Sequence, residues 1–594
     1  MTQSSSANAT ASWFGHPRPL SRLFTIEMWE RFGFYGMRAL LMLYLTKHFV
    51  LGDHASAGIY GGYTALVYLT PLIGGLVADQ YLGSKRSVRF GSLLMAAGYF
   101  TLAFGGQPSQ AWAEFDGTRH DITITHFRDR PTSAADEQRV VIDHGQPLVI
   151  KGREDGSIDL IAADGHVARQ LPKGALNEGS DKSPTMIAVL LLALSTIAVG
   201  NGFFKPNIST MVGALYAQGD KRRDAGFTIF YMGINLGSII GQIACPILAD
   251  LVGWWAGFSA AGAMMLVSWV LVTFDGGRLA GFGETPASAL ADGKSDRALL
   301  IYAATILSIP LFFVLFSNLM HATEPAPGSG IIGYLTSLPM MGKLLTGAFA
   351  LGVPAILIWS WRNGSRVEFQ MMLAAMVLIT FNTVFWSLFE QAGSSLTLFA
   401  DRNTDRSVFG LFTLSAPQVQ NFNSISIVTL APVMGALWAW MARRNIEPSI
   451  PVKFSLGLIG VGAGFLLLVL GARFAGPDAQ VGLGWIVGLY VIHSVAELCI
   501  SPVGLSMITK LSIARIVGLM MGVWFLSMAM GEYVAGMVAQ IATVNTVAGQ
   551  VTNLKLSLDT YVSVFTRIGI AAMIVGVILL VLARPLRRLM HGVT

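Results

Sequence analysis

Long apolar stretches dominate this sequence and restrict the possible folds more than any other feature. A helix needs about 20 mostly apolar residues to cross a bilayer, and about fourteen segments meet that requirement. Because 53% of the residues are hydrophobic and only 12% are charged, the composition differs strongly from that of soluble proteins. The sequence therefore predicts an all-α membrane protein. The approximate cores of the spans are 25–46, 57–79, 87–106, 186–213, 226–249, 254–274, 298–317, 341–361, 368–391, 422–441, 453–473, 483–505, 517–540 and 562–583.

Basic residues in the short connections indicate the orientation of the chain. Lys and Arg are enriched in the cytoplasmic loops of multi-spanning proteins. Lys85 and Arg86 lie between the second and third spans, and Arg587 and Arg588 follow the last span, which places them all on one side. We therefore expect a multi-pass protein of the inner (cytoplasmic) membrane with both termini in the cytoplasm.

Two polar stretches interrupt the spans. The first, 108–184, has β-branched runs at Asp121–Thr125 and Arg139–Asp143, which predict a small β-rich insert outside the cytoplasm. The second, 276–297, is rich in Gly, Ala and Ser and predicts a flexible cytoplasmic linker. The predicted organisation is a cytoplasmic tail at 1–22, helices one to three at 23–107, the insert at 108–184, helices four to six at 185–275, the linker at 276–297, an additional helix hairpin at 298–366, helices seven to twelve at 367–583 and a cytoplasmic tail at 584–594.

This order corresponds to two six-helix halves with an extra hairpin between them, an arrangement typical of transporters. Ionisable residues occur in main spans one, four, seven and ten, which are the first helices of four three-helix units in a major facilitator fold. A charge at the centre of a bilayer costs about 2.5–3.5 kcal/mol and normally faces a partner or a wet cavity. The pattern therefore predicts a central polar cavity. The residues are Glu27, Glu30, Arg31 and Arg38 in span one, Lys205 in span four, Glu390 in span seven and Glu497 in span ten.

The alternative for span one is that Glu27 and Arg31, four residues apart, only neutralise each other, or that the polar stripe lies at a membrane surface. A carboxylate flanked by cations stays ionised until the cation moves away, so the charged residues could also couple protonation to conformation. Lys and Arg form no basic stripe with interleaved aromatic residues, so no nucleic-acid partner is expected. The histidines of the insert lack the spacing of metal ligands, so no metal site is expected either.

Several motifs resemble the proton-dependent oligopeptide transporter family. The segment Glu27–Gly36 reads EMWERFGFYG and is similar to the family motif E-x-x-E-R-F-x-Y-Y-G. The likeness covers all twelve main spans and excludes the insert. It continues at Tyr68–Pro71, Gly202–Asn207, Phe230–Gly237, Phe385–Gln391, Glu497–Leu505 and Trp524–Ser527.

The resemblance implies a symporter that is driven by protons, imports di- and tripeptides, and needs no cofactor and no obligate protein partner. Arg38 and Lys205 would bind the peptide carboxylate, and Glu497 would bind the amino terminus. Glu390 would be the proton-sensitive partner of Arg38. The remaining roles implied by the resemblance are exchange of Glu27 and Glu30 with Lys205 beside Arg31, and a pocket lined by Tyr35, Tyr68, Asn235, Asn423, Trp386 and Trp524.

Other interpretations of the sequence stay open. The same fold could carry another small zwitterion or anion, and Phe34 stands where the motif has its first tyrosine, so specificity can differ there. Asn235 and Asn423 could hold helices together instead of contacting a ligand. A third hypothesis, a membrane-anchored receptor or enzyme that acts through the insert, has no nucleophile–base pattern or phosphate loop to support it.

Overall fold

Among the residues that the structure describes, fourteen helices of 20 or more residues form most of the chain. The computed structural model describes residues 12–126, 136–217, 220, 222–291, 293, 297–322, 330–544 and 546–593, so parts of the predicted N-terminal tail, insert, linker and hairpin lie outside the described residues. The helices are α1 Pro19–Leu43, α2 Asp53–Val77, α3 Ser84–Ala103, α4 Pro184–Ala214, α5 Arg223–Leu251, α6 Trp254–Thr273, α7 Ala298–Met320, α8 Met340–Asn363, α9 Arg366–Phe389, α10 Asn421–Arg443, α11 Ile450–Ala472, α12 Leu483–Leu511, α13 Val517–Ile541 and α14 Leu554–Leu589.

Within the described residues, 12 helices are long and apolar enough to cross a membrane by length and composition. The other two long helices are α1, which contains the charged stripe, and α3, which begins with a basic segment. The prediction of a mostly helical, multi-spanning chain is confirmed.

Local sequence signals explain several helix ends. At the start of α9, Ser365 and Glu368 form a reciprocal capping box, and the Asn553 side chain caps α14 by accepting a hydrogen bond from the Leu556 N–H. The predicted seventh span reached residue 391, but α9 ends at Phe389 and Glu390 starts a 3₁₀ turn. The shorter elements are π turns Tyr44–His48 and Ala78–Leu82, 3₁₀ turns Glu390–Gly393 and Ala514–Ile516, helices Ala287–Ala291, Gly330–Ser337, Ser395–Arg402 and Ala416–Val419, and two-residue strands Ser12–Trp13, His16–Pro17, Thr404–Asp405, Ser407–Val408, Phe412–Thr413, Val481–Gly482, Thr546–Val547 and Gln550–Val551.

The segment between α3 and α4 is a seven-stranded sheet, which confirms the prediction of a β-rich insert. Neighbouring strands are antiparallel, in the order β6-β5-β4-β3-β2-β1-β7. One face carries a buried apolar core that includes Ala113, Val141 and Leu160, each fully buried. The strands are β1 Gln110–Phe115, β2 Thr118–His126, β3 Glu137–Asp143, β4 Gln146–Gly152, β5 Ile158–Ala162, β6 Val167–Leu171 and β7 Asn177–Asp181.

The chain divides into two compact units. In unit 1, α6 packs against both α3 and α5. In unit 2, α11 packs against α12 and α14, and α9 packs against α13. Unit 1 comprises Met1–Leu40, Tyr63–Gly105 and Ala188–Ser317, and unit 2 comprises Leu41–Gly62, Gly106–Ile187 and Asn318–Thr594.

Glycines allow α1 and α5 to approach closely within unit 1. A Cβ at Gly237 would lie 2.1 Å from the Met28 carbonyl oxygen, and a Cβ at Gly241 would lie 2.4 Å from that of Phe32. Both distances are too short for a side chain, and small residues are the usual solution where membrane helices meet. The charged stripe of α1 is therefore held against α5 by backbone contact.

Gly241→Ala is expected to lower the melting temperature and the yield of the purified protein, because the added methyl group meets backbone that cannot move aside. Overpacking of this kind costs about 1–3 kcal/mol. Gly435→Ala in α10 is the matched control, since a Cβ there has nothing within 4 Å. Equal melting temperatures for the two variants would contradict the expected close contact.

The described part of the linker is packed within unit 1, although its composition predicts a flexible connector. Leu279 and Ala289 are fully buried. The Lys85 N–H donates to the Gly283 carbonyl at 2.8 Å, and Lys85 Nζ lies 3.4 Å from Glu284 Oε1. Buried apolar side chains and an ion pair therefore hold a segment in place that its glycine content alone predicted to be flexible.

Candidate functional site

The charged stripe of α1 forms a compact buried group. Glu27, Glu30 and Arg31 are 3%, 0% and 3% exposed. Arg31 Nε lies 3.0 Å from Glu27 Oε1, and Arg31 is also ion-paired with Glu30. The residues are adjacent because positions i, i+3 and i+4 share one helix face. One guanidinium is therefore shared by two carboxylates.

Lys205 of α4 supplies a second cation to this group. Its Nζ lies 3.9 Å from the centroid of the Tyr68 ring, and it interacts electrostatically with Glu27 and Glu30. An ammonium over an aromatic face is favourable, more so when water is excluded. Two acids and two cations are thereby brought together within unit 1.

The backbone beside Lys205 explains how α2 and α4 come close. Pro206 has no N–H, so the carbonyl of Gly202 cannot receive the usual helical hydrogen bond. Gly74 of α2 packs on that carbonyl, and a Cβ at Gly74 would lie 2.0 Å from the oxygen. Tyr68 is carried by α2, so this contact positions its ring near Lys205.

Phe34 and its neighbours complete the predicted residues of unit 1. The Phe34 side chain is buried, its ring centroid lies 5.4 Å from the Arg31 guanidinium carbon, and it packs edge-on against Tyr35. Arg38 is also buried, at 7% exposure. The Asn235 amide donates to the Tyr231 carbonyl of its own helix at 3.0 Å. Phe34 therefore acts as an aromatic contact for Arg31, where the family motif has a hydroxyl-bearing ring.

In unit 2, an acid at the end of α9 interacts with an acid in the middle of α12. Glu390 is 5% exposed and interacts electrostatically with Glu497. Asn423 of α10 hydrogen-bonds to the Glu497 side chain and donates to Ser494 Oγ at 3.0 Å. Like charges in a poorly solvated site repel, so this pair favours a proton or a cationic ligand.

A hydrogen-bonded chain joins the Trp386 side chain to the backbone carbonyl of Trp524. Trp386 Nε1 donates to Asn382 Oδ1 at 3.1 Å, Asn382 Nδ2 donates to Ser527 Oγ at 3.2 Å, and Ser527 Oγ donates to the Trp524 carbonyl at 2.7 Å. Sequence reasoning did not select Asn382. Its position four residues before Trp386 in an apolar helix was the available signal.

The predicted residues are divided between the two units. Their roles stay predictions. Unit 1 holds Glu27, Glu30, Arg31, Tyr35, Arg38, Tyr68, Lys205 and Asn235, and unit 2 holds Trp386, Glu390, Asn423, Glu497 and Trp524.

The structure contains a third charged group, in unit 2, that sequence reasoning missed. It forms where the end of α1 and the start of α2 meet the helix Ser395–Arg402. Arg402 pairs with Asp53 at 2.6 Å, and Lys47 pairs with Asp401 at 2.7 Å. Charges at helix ends are common, so nothing in the sequence marked these as buried partners.

Comparison with known proteins agrees with this architecture. A family model described as PTR2, POT family, matches residues 85–280 and 333–554. Dipeptide and tripeptide permease A of Cronobacter turicensis is 30% identical over 97% of this chain and 94% of the relative. Peptide transporter YePEPT of Yersinia enterocolitica is 29% identical over 100% of this chain and 99% of the relative.

Solved structures show the same likeness. The crystal structure of peptide transporter POT in complex with sulfate has a TM-score of 0.70 and 27% identity, covering 98% of this chain and 97% of that one. The family model matches more than half of the chain, and the family consists of transporters, not enzymes. The chain therefore belongs to the POT family of membrane transporters.

Proposed function

We propose that this chain is a proton-coupled symporter that imports di- and tripeptides by alternating access. The observation that carries the proposal is the buried group of Glu27, Glu30, Arg31 and Lys205. Protonation of one acid weakens its hold on a cation, which can then bind the carboxylate of a substrate. The relatives named as dipeptide and tripeptide permease and as peptide transporter support peptides as that substrate.

The proposed binding roles match the two charged ends of a peptide. Arg38 and Lys205 bind the carboxylate, and Glu497 binds the amino terminus. The hydrogen bond from Asn423 supports this role for Glu497, because it orients the carboxylate. Glu390 is the proton-sensitive partner of Arg38. The pocket residues are proposed to be Tyr35, Tyr68, Asn235, Asn423, Trp386 and Trp524.

The proposed location is the inner membrane of a bacterial cell, with both termini in the cytoplasm and the β-rich insert outside it. Basic residues beside the spans and the bacterial permease relatives support this arrangement. Protons entering the cell would supply the energy, since each charge that crosses 100 mV contributes about 2.3 kcal/mol.

Reconstituted protein is expected to accumulate a labelled dipeptide above the outside concentration when a pH gradient, acidic outside, is imposed on proteoliposomes. An uncoupler should abolish the accumulation, and protein-free vesicles are the control. Unlabelled di- and tripeptides should compete, whereas free amino acids and small anions should not. Absence of uptake for every dipeptide tested would reject peptide symport, and competition by another zwitterion or anion would favour the alternative cargo.

A further inference from the structure

The β-rich insert is connected along the chain to one unit and packed in the other. It follows α3, which belongs to unit 1, and it leads into α4, which belongs to unit 1 from Ala188 onward. The insert itself, Gly106–Ile187, belongs by its packing to unit 2. Both of its ends are therefore tied covalently to one unit while its body is part of the other.

Apolar and backbone contacts attach the insert to the connection between α13 and α14. Val547 and Ala548 of that connection are buried in the same core as the sheet residues. The Gly152 N–H donates to the Thr552 carbonyl at 3.1 Å, and Asn553 Nδ2 donates to the Gly152 carbonyl at 3.2 Å. The insert is thus docked by an interface that continues its own core.

The insert also contacts the connection between α1 and α2. The Ser109 N–H donates to the His48 carbonyl at 2.8 Å, and Val50 packs against the core of the insert. Val50 has a φ of 48°, a region that β-branched residues rarely adopt. Such a conformation persists only where the surroundings enforce it.

A charged cluster joins these elements, and we name it the Lys47 cluster: Lys47, Glu137, Arg139, Asp401 and Gln550. Lys47 Nζ lies 2.7 Å from Asp401 Oδ1 and 3.8 Å from Glu137 Oε1. Gln550 Nε2 donates to Asp401 Oδ2 at 3.2 Å and to Glu137 Oε2 at 3.4 Å, and Arg139 contacts Glu137 at 3.0 Å. The first residue of β3 therefore pairs with Lys47, a cation in the π turn that follows α1.

We propose that the insert acts as a strap during the transport cycle, which means a segment that holds other parts of the chain together. Glu137 is the residue that positions the strap. The strap holds the end of α1, the helix after α9 and the α13–α14 connection together, and its contacts release once in each transport cycle. The proposal rests on the alternating access proposed above.

The charges around Glu137 indicate that mild acid does not release the strap. Burial raises the pKa of Glu137, but Lys47, Arg139 and the Gln550 amide outweigh burial and the nearby Asp401, so its pKa lies below the ordinary value of 4.5. A group with a lowered pKa stabilises the folded contact above its ordinary pKa and loses that effect only as the pH falls through the lowered value. The strap is therefore expected to hold across pH 5–8.

The first experiment measures the exposure of Thr46, which lies beneath the α13–α14 connection that the strap holds in place. Thr46 is fully buried, and Gly549 of the α13–α14 connection packs on its carbonyl. In a Thr46→Cys protein, Glu137→Gln is expected to raise the labelling rate by a water-soluble maleimide several-fold. The natural Cys245 and Cys499 are both buried. The protein without Thr46→Cys gives the background labelling rate.

The matched control is Glu154→Gln, which removes the same charge from the insert but only an exposed pair with Lys555. It is expected to leave the labelling rate unchanged, and gel filtration and circular dichroism should show both variants folded. Equal labelling rates for the Thr46→Cys protein and the Thr46→Cys/Glu137→Gln protein would overturn the proposal. This readout needs no substrate, so it is separate from the peptide-uptake test.

The second experiment locks the strap. A Cβ at Gly152 would lie 3.2 Å from the Thr552 Cβ, close to the separation found in disulfides. Oxidation of Gly152→Cys/Thr552→Cys is expected to stop dipeptide uptake and exchange without loss of peptide binding, and a reductant should restore both. Undiminished transport by the oxidised protein would overturn the proposal, whereas absent uptake by the parent would instead reject the proposed substrate.

Discussion

Glu390→Gln is expected to abolish dipeptide uptake driven by a pH gradient while counterflow exchange stays close to the parent rate. Glutamine keeps the size and most hydrogen bonds of the side chain but cannot change its charge. Glu390 is buried and interacts with Glu497, so the neutral variant also removes a repulsion beside the proposed site for the peptide amino terminus. Initial rates in proteoliposomes should differ by about tenfold or more, a factor equivalent to about 1.4 kcal/mol.

Glu368→Gln is the matched control, because it makes the same chemical change at the other end of α9. Glu368 is partly exposed and caps the helix. Both rates are expected to remain near those of the parent. If Glu390→Gln loses exchange as well as driven uptake, Glu390 belongs to binding or folding. If it keeps both, Glu390 has no part in coupling.

The helices could be predicted closely because the bilayer itself limits their length. The predicted core 453–473, for example, corresponds to α11 at Ile450–Ala472. The α1 site was predictable for a similar reason, since Glu27, Glu30 and Arg31 meet through the local geometry of one helix. The β-branched run at 121–125 likewise lies in β2. In each case the physical constraint acts on residues that are close in sequence.

Contacts between distant segments could not be predicted in this way. Lys47 and Asp401 are 354 residues apart, and Arg402 and Asp53 are 349 apart. Periodicity shows which face of a helix is polar, but it does not show which other helix supplies the partner. The packed linker is a further example, because Leu279 is buried by tertiary structure that its Gly-rich surroundings do not indicate.

Arg402→Ala is expected to destabilise the protein by about 3–5 kcal/mol, because it breaks a buried ion pair and leaves one charge without its partner. Arg402 Nη1 and Nη2 donate to the two carboxylate oxygens of Asp53 at 2.6 and 2.7 Å, and the two side chains are 0% and 2% exposed. Tyr561 accepts a further hydrogen bond from Arg402 at 3.3 Å. The loss should appear as a large fall in the melting temperature of the purified protein.

A double-mutant cycle separates the ion pair from lost packing. Asp53→Ala/Arg402→Ala is expected to be more stable than the sum of the single effects predicts, since neither charge is then left alone in the interior. Lys555→Ala is the matched control: its pair with Glu154 is exposed, and surface pairs contribute about 0–1 kcal/mol. Additive single effects, or an Arg402→Ala melting temperature equal to that of Lys555→Ala, would show that the pair does not stabilise this end of unit 2. A strong coupling energy would instead identify the Arg402–Asp53 pair as the contact that holds the start of α2 to the helix Ser395–Arg402, independently of the insert.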